Sequence, residues 1–447
     1  MRVVAALVII AVLAAAAAFF ADHPGRVAIV WQGWELETSV GVLIAASVAA
    51  VIVLLLAWRF VSWLLRSPRN FLRQRRERRR RAGYRALTEG MAAIAADEPG
   101  AARRSARKAD ALLADPPLTL LLSAQAAQLD GDEAAAKRCF TAMLDRPETE
   151  LLGLRGLLDQ ALREGDHGAA LRLAERAKAL RPNARWTAPT LFELEAREGR
   201  WQAALATLGD AAKRRLVPGE RARHHRGVIL YELSRTALAQ GDRRGAISLA
   251  GDAQNLVPDL AAPAAYHARL LLGDGRAGPA AKAIEQAWRT LPHPELAQVY
   301  GEVHADQAPL ARFKSVERLA GQNPTARESQ LALAEAALAA ELWGEARRHL
   351  DMAFAMPPGP TVRLCRMMAQ LEEADGGDLG RMREWLDRAV AATPDPRYLC
   401  AKCGGESLEW RSRCPHCGRF DTLAWRSPLW AAPSDALPPP RASAAAG

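Results

Sequence analysis

The feature that most restricts this chain is a turn signal that returns at a fixed interval. Gly131-Asp132, Gly165-Asp166 and Gly199-Arg200 stand 34 residues apart, and Gly241-Asp242 and Gly275-Arg276 are again 34 apart. About 17 residues after many of these turns comes a proline: Pro182, Pro258, Pro292 and Pro394. Between turn and proline the apolar residues fall at helical spacing, as in Ala170, Ala174 and Ala177. Small residues at i, i+4 and i+7 let two antiparallel helices approach closely, and the proline stops the second helix. A unit of two helices cannot bury its apolar face alone, so such units stack.

A period of 34 with a mid-repeat turn and a closing proline is the pattern of tetratricopeptide (TPR) repeats. The same stripe recurs as Ala136, Phe140 and Met143; Ala204, Leu208 and Ala211; Ala246, Ala250 and Ala253; Ala280, Ile284 and Ala287; Ala346, Leu350 and Ala353; and Met382, Leu386 and Ala389. The expected fold is all-α: about nine hairpins in a TPR-like solenoid over residues 82–394. The phase slips by eight residues between Gly199 and Gly241, so Lys213–Arg226 reads as an insertion that lengthens a helix or loop and divides the array into two blocks. His224-His225, inside it, has no metal-ligand spacing to a partner and reads as solvated. Gly273, Gly275 and Gly278 spell G-x-G-x-x-G, but they fall in register with the other turns rather than after a buried strand, which argues against a dinucleotide site.

Two apolar runs precede the repeats. Val3–Ala21 and Val40–Leu65 are each long enough to cross a hydrocarbon core as a helix. The first could instead be a cleaved signal peptide, since Ala14–Ala18 is a small-residue tract. Residues 1–66 are expected to form a two-helix anchor with a short periplasmic loop, in which a hairpin turns at Gln32-Gly33 and Trp31 and Trp34 sit at the interface. The chain carries 60 Lys and Arg against 50 Asp and Glu, and this excess is concentrated: Arg66–Arg85 holds ten arginines against Glu77. In the juxtamembrane segment 67–81, the side chains of Arg73, Arg75, Arg76, Arg78, Arg79, Arg80 and Arg81 are placed against anionic lipid. The arginines put the repeats and the C-terminus of this multi-pass reading in the cytoplasm. No aromatic stacking platform accompanies them, which argues against nucleic acid.

At the other end, Cys400-Ala-Lys-Cys403-Gly404 and Cys414-Pro-His-Cys417-Gly418 are two matched knuckles separated by ten residues. Four thiolates make a closed tetrahedral site, typical of structural zinc, with iron as the alternative. A ribbon of residues 398–426 is too short to bury a sufficient core, so the metal supplies folding free energy. His416, between ligands, reads as a bystander, and Cys139 and Cys365 as small buried residues within the repeats. Residues 431–447, rich in Pro, Ala and Ser, are expected to be disordered.

The two spans, the loop Gly25-Arg-Val-Ala-Ile-Val-Trp31-Gln-Gly-Trp34-Glu-Leu-Glu-Thr38-Ser39, then Arg59, Pro68 and the basic run into helical repeats, resemble the HemY family of haem-biosynthesis-associated inner-membrane proteins. The resemblance is most specific over about residues 1–140. The cysteine module is instead similar to the rubredoxin-type end of a TPR protein that regulates lipopolysaccharide assembly. No nucleophile, base and oxyanion donors cluster in the sequence, and nothing supports the flavin-dependent oxidase also called HemY. The reading is a non-enzymatic, membrane-tethered scaffold that binds proteins in its groove, with Arg155 and Asp159 as candidate groove residues. The resemblance implies haem-pathway enzymes as partners, at a late step of haem synthesis. The alternatives are a regulator of an envelope-assembly enzyme or protease, and a direct porphyrin or haem carrier.

Overall fold

A computed structural model describes residues 25–31, 34–113, 116–376 and 378–428. The first apolar run and the C-terminal tail lie outside the described residues. The chain divides into two compact units, residues 1–139 and 140–447.

In the first unit, β1 (Arg26–Trp31) and β2 (Trp34–Ser39) pair antiparallel with Trp31 opposite Trp34, while the expected turn at Gln32-Gly33 lies outside the described residues. Then α1 runs unbroken from Val40 to Ala95, 56 residues. Its Val40–Ser62 stretch, 23 residues, is the segment among the described residues that is long and apolar enough to span a bilayer. Side chains such as Leu54, 69% exposed, and Trp58, 75% exposed, project from it without a protein partner. A helix that is apolar on every face is compatible with a membrane anchor. Past the arginines, the end of α1 packs on α2 (Pro99–Leu112) and α3 (Pro116–Leu129). The contact is close because glycine lines it: a Cβ on Gly83 would stand 2.5 Å from Leu113 Cγ. Ala86, Ala93, Ala102, Ala106 and Ala109 are buried there.

In α4 (Glu133–Met143), which crosses the unit boundary, Phe140 and Met143 are buried. The second unit then holds α5 (Glu150–Glu164), α6 (His167–Leu180), α7 (Thr187–Arg197), α8 (Trp201–Lys213), α9 (Gly219–Ala239), α10 (Arg243–Leu256), α11 (Ala261–Gly273) and α12 (Ala277–Trp288). It continues with α13 (Pro294–Val303), α14 (Pro309–Ala320), α15 (Arg327–Ala339), α16 (Trp343–Ala355), α17 (Val362–Gly376) and α18 (Leu379–Ala391). The recurrent turns have a simple cause. Gly165, Gly199, Gly241 and Gly275 all have φ between +74° and +85°, which ends one helix in the left-handed region. After Gly165 and Gly241 the next residue is an aspartate that caps the following helix: Asp166 Oδ1 accepts from the Ala169 amide at 2.8 Å and Asp242 Oδ1 from Gly245 at 2.9 Å. At Glu341 the left-handed turn is made without glycine, at φ 58°.

The alanine stripes form the seams. Ala170, Ala174, Ala177, Ala246, Ala250 and Ala253 are all 0% exposed. Larger residues fill the wider layer between successive pairs: Trp288, Leu296, Tyr300, Leu319 and Leu364 belong to one cluster that runs from α11 to α17.

Two expectations are corrected here. The insertion does not split the array: it adds turns to the start of α9, which is 21 residues long, and the core passes on through Val228, Ile229 and Ala262. The last stripe is not buried either. In α18 no residue is fully buried, and Leu386 is 43% exposed, because among the described residues no further helix packs over it.

Candidate metal centre and its seat on the repeats

The C-terminal module is a three-stranded antiparallel sheet, β4 (Glu406–Ser407), β3 (Arg397–Cys400) and β5 (Leu423–Arg426), in the order β4-β3-β5. Each cysteine knuckle is closed the same way. The Gly404 amide donates to the Cys400 carbonyl at 2.9 Å, and the Gly418 amide to the Cys414 carbonyl at 2.9 Å. Both glycines have positive φ, +70° and +67°, a conformation that costs a residue with a Cβ about 1–2 kcal/mol.

The knuckles bring the sulfurs of Cys400, Cys403, Cys414 and Cys417 all within 4.8 Å of one another. Across the pair of knuckles, Cys400 and Cys417 Sγ stand 3.8 Å apart, and Cys403 and Cys414 Sγ 3.7 Å. A tetrahedron with metal–sulfur bonds of about 2.3 Å has edges of about 3.8 Å, so the donor set fits a single four-coordinate ion. Burial raises the Cys400 thiol, but the Thr422 hydroxyl at 3.2 Å and the amides of Cys403 and Lys402 outweigh it and bring the group down to about 6. Burial pushes Cys417 up to about 12, and Cys403 is raised as well. Four thiols this close cannot all ionise without a cation among them, and a divalent ion supplies that charge. His416 Nε2 lies 2.9 Å from the Glu406 carbonyl and its ring covers Gly405, so it props one knuckle rather than joining the ligands.

The module does not hang free beyond the last repeat. It folds back onto α7, α9, α11 and the start of α13, and shares one core with them. Phe420 meets Phe192 edge-on at 5.5 Å, His225 at 5.4 Å and Trp201 at 6.1 Å. Trp410 packs on Tyr231 at 5.4 Å, and Trp425 on His293 at 4.4 Å. Polar bonds fix the register. Ser412 Oγ donates to Glu232 Oε1 at 2.6 Å, and Arg413 donates to the Arg197 carbonyl at 2.6 Å. Asp421 Oδ2 lies 3.1 Å from His224 Nε2 and 3.6 Å from His225 Nε2.

The two histidines are therefore not solvated, as their sequence context suggests. Hydrogen bonding to Asp421 raises His224, while burial pushes His225 down to about 4. His293 is also held near 4 by burial. Its Nδ1 accepts from the Glu295 amide at 3.2 Å, so Nε2 carries the proton and faces the Tyr398 hydroxyl at 3.3 Å. That hydroxyl in turn faces Glu295 Oε2 at 3.5 Å, so one short chain of hydrogen bonds ties β3 to α13.

Sequence reasoning located the cysteines but missed the seat. Phe192, Trp201, Tyr231, Tyr266 and His293 read as ordinary repeat residues. The available signal was the eight-residue slip that carries His224 and His225. Of the other sequence-predicted residues, Arg155 and Asp159 are exposed on α5, with the Arg155 guanidinium 5.7 Å from the Trp186 ring. Arg75, Arg76, Arg78, Arg79, Arg80 and Arg81 are exposed along α1, and Arg81 pairs with Glu77 at 3.1 Å. The Arg73 side chain lies outside what the structure describes. Cys139 is half-buried and Cys365 buried, and burial raises both thiols.

An apolar helix, helical hairpin repeats and a docked four-cysteine ribbon define the class: a helical-repeat protein with a membrane-type helix before the repeats and a metal-binding ribbon after them. Comparison narrows this. Residues 25–131 match the family described as HemY protein N-terminus, and residues 398–424 match the rubredoxin metal binding domain. Over 460 aligned residues the chain is 27% identical to a probable magnetosome protein, Mms48, of Magnetospirillum gryphiswaldense, covering 99% of this chain and 97% of that one. Among solved structures, it is similar to Naa15/Naa10 bound to HypK-THB, with TM-score 0.39, 16% identity and coverage of 68% of this chain and 58% of that chain. It is also similar to MamA, with TM-score 0.25, 13% identity and coverage of 35% and 92%.

Proposed function

We propose that this protein is a membrane-tethered scaffold that works by binding other proteins rather than by catalysis. The observation that carries the reading is α1. It is exposed and apolar over Val40–Ser62, then basic, then packed into helical hairpins, all in one uninterrupted helix. The anchor has two spans, and the arginines Arg75–Arg81 beside the apolar segment support placing the repeats and ribbon on the cytoplasmic side. There Arg73 and its neighbours lie against anionic headgroups, and exposed repeat residues such as Arg155 and Asp159 contribute to partner contacts. The ribbon holds zinc.

The N-terminal match to HemY supports a role in gathering haem-pathway enzymes at the membrane, at a late step of protohaem synthesis. The similarity to a probable magnetosome protein, over 99% of this chain, supports a magnetosome-linked role. A second reading is regulation of an envelope-assembly enzyme or protease, and the rubredoxin-type ribbon favours it. Crosslinking in cells followed by mass spectrometry of the captured proteins tests both. Recovery of porphyrin-pathway enzymes supports the first, and recovery of an envelope enzyme or protease without them supports the second. Capture of no protein at all overturns the scaffold.

A further inference from the structure

The seam between ribbon and repeats encloses a cavity of about 750 Å³. Its apolar floor comes from both sides: Phe192, Leu216 and Leu291 from the repeats, Phe420 and Trp425 from the ribbon. Its rim carries Arg221, at the start of α9, and Lys402, Arg419 and Arg426 from three separate parts of the ribbon. All four are exposed, and among the described residues none of these side chains makes an ion pair or side-chain hydrogen bond. Some cations of this unit are paired, as Arg269 is with Glu302 and Arg363 with Glu328. Of the carboxylates around the cavity, Asp421 and Asp259 are engaged by His224, which leaves Glu193 facing it among the described residues.

We infer that this cavity is a binding site for an acidic protein segment that places an apolar side chain on the aromatic floor and its carboxylates on the four rim cations. The inference deepens the scaffold reading and rests on it. Four rim cations around an apolar floor are complementary to a segment that carries several carboxylates beside one apolar side chain. The floor provides the desolvated pocket in which an aromatic or aliphatic anchor contributes most of the affinity. Phe192 and Phe420 in the floor are buried and meet edge-on rather than being offered for base stacking, which disfavours a nucleic acid. Because half of the floor and three of the cations belong to the ribbon, the site exists only while the ribbon is folded and seated.

The test uses the full-length, zinc-loaded chain in detergent and a fluorescein-labelled peptide of four glutamates flanking one phenylalanine, read by anisotropy. A peptide with glutamines in place of the glutamates is the neutral control. The acidic peptide binds at least about tenfold more tightly than the neutral one, and the double variant Arg221→Glu/Arg419→Glu loses about tenfold in affinity while retaining its zinc. Arg411→Glu, an exposed cation of the same ribbon outside this cavity, changes affinity by less than about twofold. Equal binding of the two peptides, no binding of either, or no effect of the double variant overturns the site. So does a single-stranded oligonucleotide that binds more tightly and shows the same sensitivity to Arg221→Glu/Arg419→Glu. Partners captured by crosslinking in cells despite such a failure leave the scaffold standing and remove only this site.

Discussion

The repeats and the ribbon solve the same problem in opposite ways. A helical hairpin is held by repetition: alanines at fixed spacing bring two backbones together, and the next hairpin covers what is left. No single contact dominates. The ribbon has about 30 residues, no helix and few apolar side chains of its own, and depends on two external supports: an ion between four sulfurs, and a seat built by residues more than a hundred positions earlier. The difference teaches that this ribbon is not an independent module. Tyr398, Trp410, Phe420 and Leu423 are its own core candidates, yet each is buried partly by the repeats.

The comparison breaks first at the metal. Chelation, or Cys414→Ser, is expected to unfold residues 398–426 and expose the first turns of α9, since a structural zinc site contributes about 10–16 kcal/mol. Hydrogen exchange on the full-length chain measures this. Fast exchange should be confined to the ribbon and its seat, with α15 and α16 protected as before. Loss of protection throughout α15 and α16 would show that the repeats depend on the ribbon as well. Phe420→Ala removes the ring that joins Phe192, Trp201 and His225, at a cost of about 3–5 kcal/mol. Because the ring belongs to the seat rather than the metal site, zinc content should hold while the ribbon loses protection.

Acid sharpens the contrast next. His225 and His293 are buried neutral with values near 4, below the ordinary histidine value. The seat on the repeats therefore binds protons when uncovered that it does not bind when the ribbon is docked, and docking weakens as pH falls from about 6.5 towards 4. Each histidine amounts to about 2 kcal/mol at pH 5. His224 works the other way: its raised value stabilises docking below the ordinary histidine value, an effect lost as pH rises through the folded value. Two groups oppose one, so ribbon protection should drop between pH 7 and pH 5 at constant zinc content. His293→Gln should flatten part of that slope.

Substitutions within the repeats have smaller, local effects. A Cβ at Gly156 would stand 2.3 Å from the Phe140 ring, so Gly156→Ala is expected to cost about 1–3 kcal/mol by overpacking. Gly165 sits at φ +77° with open space around its Cα, so Gly165→Ala costs about 1 kcal/mol from backbone alone. Both are read as shifts in thermal unfolding with the ribbon's zinc retained.

What was legible in the sequence follows the same division. Helix, turn and seam are local, so Gly165-Asp166 and the Ala170, Ala174, Ala177 stripe can be read from a window of 34 residues. The four cysteines are equally local. The seat is not: nothing near Phe192 or His225 in the chain indicates that Phe420 and Asp421 will arrive beside them. Aromatic residues in a repeat look like core whether they face the next hairpin or a distant strand. Leu386 shows the converse, since its stripe matches the buried ones but among the described residues no further hairpin buries it.

The distance along the chain between Phe192 and Phe420 also has a consequence in time. At about 5–20 residues per second, synthesis of the intervening residues takes on the order of 10–40 s. Throughout that interval the repeats at α7–α9 have their neighbours but not the ribbon, and Phe192, Trp201 and Tyr231 remain uncovered. A nascent chain thus displays an aromatic surface that the finished protein hides. Any truncation before Tyr398 would make that temporary state permanent.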